Sequence, residues 1–170
     1  MENQKYAKDS LTIMTEMVLP NDTNTLNNLM GGRLLYMMDV VAAIAAQKHT
    51  NCLVVTASVD NVSFAEPIPL GSIVTLQAHV TRVFNTSMEV HINVWADDYP
   101  NKKRTATNQA YYTFVALDNI TKLPRKTCEV VPETDLEKEL YAGALRRRQL
   151  RLILAGKMKA IDAEELRALF

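Results

Sequence analysis

The chain has 170 residues, 48% of them hydrophobic, with 19 basic and 19 acidic side chains and a formal net charge of zero. That length suits one domain with a substantial core, and the balanced charge gives no footing for nucleic acid or a membrane surface as the main partner. Cys52 and Cys128 lie far apart with no metal or redox spacing, and Met1-Glu2-Asn3-Gln4-Lys5 does not open a signal-peptide core, so a cytoplasmic protein with free thiols is expected.

In chain order, residues 11–19 read as a first strand, ended by the turn chemistry of Pro20-Asn21-Asp22. After a loop from Thr23 to Met30, a helix is predicted from Gly31 to about His49 and is broken by Thr50-Asn51. Its sequence is apolar on nearly every side, which places it in the centre of a domain. It is too short to span a bilayer, which needs about 20 residues. Four strand-like runs follow: Cys52 to Ala65, Ser72 to Phe84, Ser87 to Ala96 and Thr105 to Leu117. Breaks separate them at Glu66-Pro67-Ile68-Pro69-Leu70-Gly71, at Asn85-Thr86 and at Asp97 to Lys102. The second run alternates Val74, Leu76, Ala78 and Val80 with Thr75, Gln77, His79 and Thr81. The third sets Met88, Val90, Ile92 and Val94 on one face.

Long alternating strands with short connections argue antiparallel pairing. One buried helix with about five such strands is an α+β layer architecture, the helix covered by a curved sheet. A single helix cannot keep a wide sheet dry, and dimerisation would solve that. Residues 133–170 change character: Leu, Glu, Lys and Arg dominate, a helix starts at Asp135, and a second short one starts at Ile161. The expected organisation is a first domain over residues 1–132 and a helical extension over 133–170.

Asp39 is the only acid on the central helix, and a buried carboxylate must be paired, hydrogen-bonded or protonated. Gly31 and Gly32 open the same helix, preceded by Asn24-Thr25-Leu26-Asn27-Asn28. A helix start offers free backbone N–H groups to an oxygen that gains negative charge. A general base and an anion-stabilising corner on one segment outline a hydrolytic site. Plainer readings stand beside this one. Asp39 could be a structural acid bonded to a loop, Asn24 a turn or cap residue, and the glycine pair a tight turn. His49 ends a helix, where a cation is favourable, and His79 and His91 fall on the polar phase of their strands. None of the three has metal-ligand spacing or a place in a Ser-His-Asp order. The Arg146, Arg147, Arg148 and Arg151 cluster reads first as a solvated helix face, with an acidic neighbour, a phosphate or nucleic acid as alternatives.

Taken jointly and in order, these segments resemble the hotdog-fold acyl-CoA thioesterases, and within them the bacterial single-hotdog branch related to the mammalian brain-type cytosolic enzyme. The likeness runs from about Met14 to Leu117. It rests on Asn24 with Gly31-Gly32, on Asp39 and the Ala-rich helix behind it, and on Val55-Thr56-Ala57-Ser58-Val59-Asp60 with Phe64 and Pro67. It rests also on Arg82, Thr86-Ser87-Met88-Glu89-Val90, Thr107-Asn108 and Tyr112 to Leu117. Two positions depart from the family pattern: Met30 stands where His or Phe is usual, and Asn27 where Gly is common.

The resemblance implies an α+β hotdog fold, a long central helix wrapped by a curved antiparallel sheet, in a dimer with a continuous sheet and often a trimer of dimers. It implies hydrolysis of acyl-CoA to a fatty acid and CoA, with no cofactor beyond the CoA of substrate and product, no nucleic acid and no membrane insertion. The family's catalytic residues fall on Asn24 and Asp39. Asp39 would activate the water, helped by burial that favours its protonated form. Asn24 would orient the water or the thioester carbonyl through its amide, and Gly31 and Gly32 would leave N–H groups free for the oxyanion. Arg82, Thr86 and Ser87 are candidates for CoA contact, with Asn108 a weaker one. Phe64 and Met88 are candidates for the acyl tunnel. Lys102, Lys103 and Arg104 read as a charged loop that could touch phosphate.

Asp39 lies seven residues beyond Gly32, about 10 Å along the axis, too far to share one reacting carbon with its own helix start. A site built across a two-fold interface is therefore predicted, with Asn24 and the glycines from one subunit and Asp39 from the other. A non-catalytic acyl-CoA-binding or sensing module is the alternative from another class. A hotdog hydratase or dehydratase is a third reading, which the placement of the histidines disfavours.

Overall fold

The structure, a computed structural model, describes residues 3–60, 62–64 and 66–168. A five-stranded antiparallel sheet runs in the order β2-β4-β5-β6-β3. Its strands are β2 (Thr12–Met17), β3 (Leu53–Val59), β4 (Ile73–Phe84), β5 (Ser87–Asp98) and β6 (Lys103–Leu117). A short parallel pair, β1 (Gln4–Tyr6) with β7 (Glu129–Val131), forms a second sheet, with β7 against β4. The helices are α1 (Gly31–Thr50), α2 (Asp135–Leu154) and α3 (Glu164–Arg167). The α+β hotdog arrangement expected from the sequence is present: α1 packs along one face of the sheet, touching β2 through β6.

Strand alternation creates the core. Val74, Leu76, Ala78 and Val80 of β4, Met88, Val90, Ile92 and Val94 of β5, and Ala110, Tyr112, Phe114 and Ala116 of β6 are all buried. They meet Leu34, Met37, Met38, Val41, Ala42, Ala45 and Ala46 of α1, spaced three and four apart as one helical face requires. The alanines let the helix lie close to the sheet. Register shifts at Thr56/Ser58, Val80/Arg82 and Val94/Trp95 mark the irregularities, and irregularities of that kind bend and twist a sheet around a helix.

Three expectations need correction. First, α1 is not enclosed all round. Gly32, Tyr36, Ile44 and Gln47 are exposed, and Asp39, Val40 and Ala43 are half-buried. One sheet covers only one side of a helix, so apolar composition on the other side does not bury it. Second, the arginines near residue 147 are not a solvated face. α2 lies on the outer face of the sheet, and Arg147 makes paired bonds of 2.9 and 2.8 Å to the fully buried Glu89. Arg148 bonds Ser87 Oγ at 3.3 Å, and Arg151 pairs with Asp60 at 3.2 Å. Of the alternatives, the acidic neighbour is the one found. Third, the polar phase of β4 and β5 faces this helix rather than water. His91 is buried, its ring 5.6 Å from that of His79 and 4.9 Å from that of Tyr111. Burial, with the His79 and Arg147 charges nearby, brings the His91 pKa down to about 3. His49 is likewise buried, at the end of α1, and desolvation lowers its pKa, so it is not the favourable helix-end cation expected.

Candidate functional site

The loop before α1 folds around Asn24. Its Oδ1 accepts from the backbone N–H of Leu26 at 2.9 Å and of Asn28 at 3.2 Å. Its own N–H donates to Asn28 O at 2.8 Å, and its carbonyl accepts from Asn27 N at 3.0 Å. The turn chemistry weighed for Asn24 is therefore real, and it is selective: it occupies the carbonyl oxygen of the side chain and leaves the Nδ2 donor on an exposed residue. Asn27, standing where the family often has glycine, has φ 57°. That is the left-handed region, which asparagine tolerates better than most side chains. Asp22 ties the loop to the helix. Its carbonyl accepts from Met30 N at 2.9 Å, and its carboxylate lies 2.9 Å from Arg33 Nε.

α1 then starts without a side-chain cap. Its first N–H groups have no acceptor within the helix and carry the positive end of its dipole. Neither Gly31 nor Gly32 has a positive φ, so neither glycine is demanded by a turn. What they provide is room. A Cβ on Gly32 would meet nothing within 4 Å, and one on Gly31 would stand 3.4 Å from the Phe64 ring. Phe64 itself is half-exposed.

Two turns along α1, Asp39 is half-buried rather than enclosed. Thr56 Oγ1, on edge strand β3, donates to Asp39 Oδ1 at 2.7 Å. Thr56 was part of the segment that carries the resemblance, but nothing in its residue type marked it as the partner of Asp39. Only the pairing of β3 against α1 brings them together. Tyr112, buried below, has its hydroxyl on Leu35 O at 3.3 Å, and burial with the Asp39 charge pushes its pKa up to about 12.

The single chain joins Asn24, Gly31, Gly32 and Phe64 at the start of α1, and Asp39 with Thr56 farther along it. The other candidates lie elsewhere. Arg82 donates to Tyr141 O at 3.1 Å and stacks on the Tyr141 ring at 4.3 Å, against α2. Thr86 and Ser87 are half-buried at the β4–β5 hairpin, and Met88 is fully buried opposite Phe114. Asn108 Nδ2 donates to Ser63 O. Lys102, Lys103 and Arg104 are exposed, with Arg104 over the Trp95 ring at 5.3 Å and near Asp97 at 3.7 Å. No helix among the described residues is long and apolar enough to cross a membrane.

One unpartnered surface adjoins the site. β3 is an edge of the sheet with Leu53, Val55 and Val59 exposed along it, and Tyr36 and Ile44 of α1 are exposed as well. An exposed edge next to an apolar patch is a surface that folded proteins normally cover.

Residues 26–100 match the thioesterase superfamily. The chain is 37% identical over 158 residues to acyl-coenzyme A thioesterase 11 of Mus musculus, covering 93% of this chain and 26% of that one. It thus spans about a quarter of that relative's length. A solved apo-hexameric acyl-CoA thioesterase superposes with a TM-score of 0.87 at 38% identity, covering 91% of this chain and 98% of the other. An acyl-CoA hydrolase of Staphylococcus aureus, solved with butyryl coenzyme A, coenzyme A and coenzyme A disulfide, gives 0.83 at 38% identity, covering 91% and 95%. That enzyme has also been solved with one aspartate, one threonine or one asparagine replaced by alanine, the last with coenzyme A bound.

Proposed function

This chain belongs to the thioesterase superfamily, among its hotdog-fold acyl-CoA thioesterases, and we propose that it hydrolyses acyl-CoA at a site completed by two subunits, with Asp39 as the base. The carrying observation is the bond from Thr56 to Asp39. It commits one carboxylate oxygen to a fixed donor, which sets the carboxylate's orientation and leaves the second oxygen to hold a water. The S. aureus variants strengthen the reading. From Asn24 to Asp39 is fifteen positions and from Asp39 to Thr56 seventeen, the same separations as between the asparagine, aspartate and threonine changed there.

The water, losing a proton to Asp39, attacks the thioester carbonyl carbon. The carbonyl oxygen takes the negative charge and is met by the N–H groups that open α1 and by Asn24 Nδ2, the donor its turn leaves free. Collapse breaks the C–S bond, the thiolate of CoA takes the proton from Asp39, and the fatty acid leaves. Phe64 and Met88 are proposed to line the acyl side. Arg82, Thr86, Ser87 and Asn108 are proposed on the CoA side.

Because Asp39 is about 10 Å from the start of its own helix, the Asp39 that serves one Asn24 belongs to a second copy. Pairing of β3 with β3 of that copy would join two sheets and cover Tyr36, Ile44, Leu53, Val55 and Val59. Three such dimers would give the hexamer named for the similar thioesterase. The test is thiol release from acyl-CoAs of several chain lengths by wild type and Asp39→Asn. A loss of roughly a hundredfold in the variant supports the base assignment. Equal rates would make Asp39 structural, and saturable binding without turnover would make the protein a sensor.

A further inference from the structure

The segment after β3 is held from two sides. At its start, Asp60 N donates to Tyr111 O at 3.0 Å, and both Asp60 carboxylate oxygens accept from Arg151 Nη1, at 3.2 and 3.3 Å. Three residues on, Ser63 O accepts from Asn108 Nδ2. The next residue is Phe64, whose ring lies over Gly31 at the opening of α1. Arg151 stands on α2, on the far side of the sheet from α1. That helix is itself pinned by Arg147, bonded to buried Glu89 and stacked on Tyr111 at 3.9 Å. Contacts from the C-terminal helix therefore reach Asp60, four residues before the aromatic ring that walls the proposed thioester corner, and Asn108 holds the residue next to that ring.

We propose that Arg151 is a positioning residue for acyl-CoA binding: through Asp60 it holds the segment that sets Phe64 over Gly31. The inference rests on the reading of the α1 start as the thioester-binding corner. Phe64 is half-exposed and makes too little apolar contact to fix itself, so its place depends on the backbone that carries it. Burial pushes the Asp60 carboxyl up, and Arg151 acts against that shift. Both side chains are about four-fifths covered, at 18% and 20% exposure, so the pair is screened less than a surface bridge. Without Arg151 a partly desolvated carboxylate loses its nearest counter-charge and gains by turning toward water, which moves the start of the segment. The wall loosens while Asp39, Thr56 and Asn24, held by their own bonds, do not move. Binding is then lost without the chemical step.

The experiment is a double-mutant cycle on the full chain, with kcat and KM for one acyl-CoA measured for Arg151→Ala, Phe64→Ala and the pair. Each single change is expected to raise KM on the order of tenfold, about 1.4 kcal/mol, with kcat within about threefold. The pair should be no worse than Phe64→Ala alone, because Arg151 acts only through that ring. Arg151→Lys, which keeps the charge, should recover most of the KM. Additive losses, or a fall in kcat with KM unchanged, would overturn the proposal and leave Arg151 as a general support for α2. Asp60→Ala, which removes the group that Arg151 holds, serves as the second variant should Arg151→Ala fail to fold, with the same KM rise expected and an unchanged KM counting against. A clamp that fails this way leaves the site reading intact so long as Asp39→Asn is still inactive. Loss of the site reading would show instead as an active Asp39→Asn.

Discussion

Thr56 donates its hydroxyl hydrogen to Asp39 at 2.7 Å, joining the edge strand of the sheet to the central helix at the one acid that helix carries. This bond orients the carboxylate without using its second oxygen. Thr56→Ala should lower kcat by about tenfold and by less than Asp39→Asn, since the base remains but swings more freely. Thr56→Ser, which keeps the hydroxyl, should retain most of the rate. Steady-state kinetics on the three variants checks the order.

Asn24 separates turn from catalysis. Asn24→Asp keeps an oxygen for the Leu26 and Asn28 N–H groups but removes the Nδ2 donor and adds a negative charge where an oxyanion is to form. The melting temperature should stay close to that of wild type while kcat falls by about a hundredfold or more, the scale of an oxyanion-hole donor. A variant that melts early and is active in proportion to its folded fraction would return Asn24 to a turn role.

Gly32 should show opposite signs in stability and activity. A methyl group there meets nothing within 4 Å in the single chain, and replacing glycine in a helix gains roughly 0.5–1 kcal/mol. Gly32→Ala is therefore expected to melt at the wild-type temperature or above it, yet to lose kcat/KM because the methyl fills the approach to the helix start. Denaturant unfolding and kinetics on the same preparation read both.

Much of this was legible beforehand, and the parts that were not share a cause. Alternation along β4 and β5 located the core face because one side of each strand is fully apolar. The same pattern could not tell that His79, His91 and Glu89 on the other side lie beneath a helix. Polar side chains look alike in sequence whether they meet water or an arginine forty or more positions away. Asp39 is visible in the sequence as an acid in an apolar run, but an apolar run does not say which of its sides is covered, and α1 proves open on the side where Tyr36 and Ile44 stand. Thr56 needed the strand pairing to become a site residue. The parallel pair β1 and β7 is three residues long on each side, too short for any periodicity.

The layer under α2 makes stability depend on pH. His91 has its pKa brought down to about 3, and His79 is also lowered by burial, while both return to about 6.5 when unfolded. Below about pH 6.5 the unfolded chain binds protons that these folded histidines do not, so stabilisation is lost as pH falls, for His91 down to about 3. The slope is at most about 1.4 kcal/mol per pH unit for each histidine. His91→Gln should flatten the profile between about pH 6 and pH 4. A slope unchanged from wild type in urea unfolding would contradict the assignment.

Glu89 and Arg147 should behave as a buried pair. Removing either partner alone costs about 3–5 kcal/mol, whereas replacing both with apolar side chains of similar size costs far less. Chemical unfolding of Glu89→Ala, Arg147→Ala and Glu89→Leu with Arg147→Leu tests this. Equal losses in all three would show that packing, not an uncompensated charge, holds α2.

The most direct test of the composite site mixes two inactive proteins. Asn24→Ala and Asp39→Asn subunits, unfolded and refolded together in equal amounts, should regain up to about a quarter of wild-type activity. Half of the two-fold dimers would then be mixed, and each would hold one intact site of two. No recovery, with mixed dimers demonstrably formed, would mean that Asn24 and Asp39 of one chain serve the same carbonyl, and the two-subunit site would be wrong.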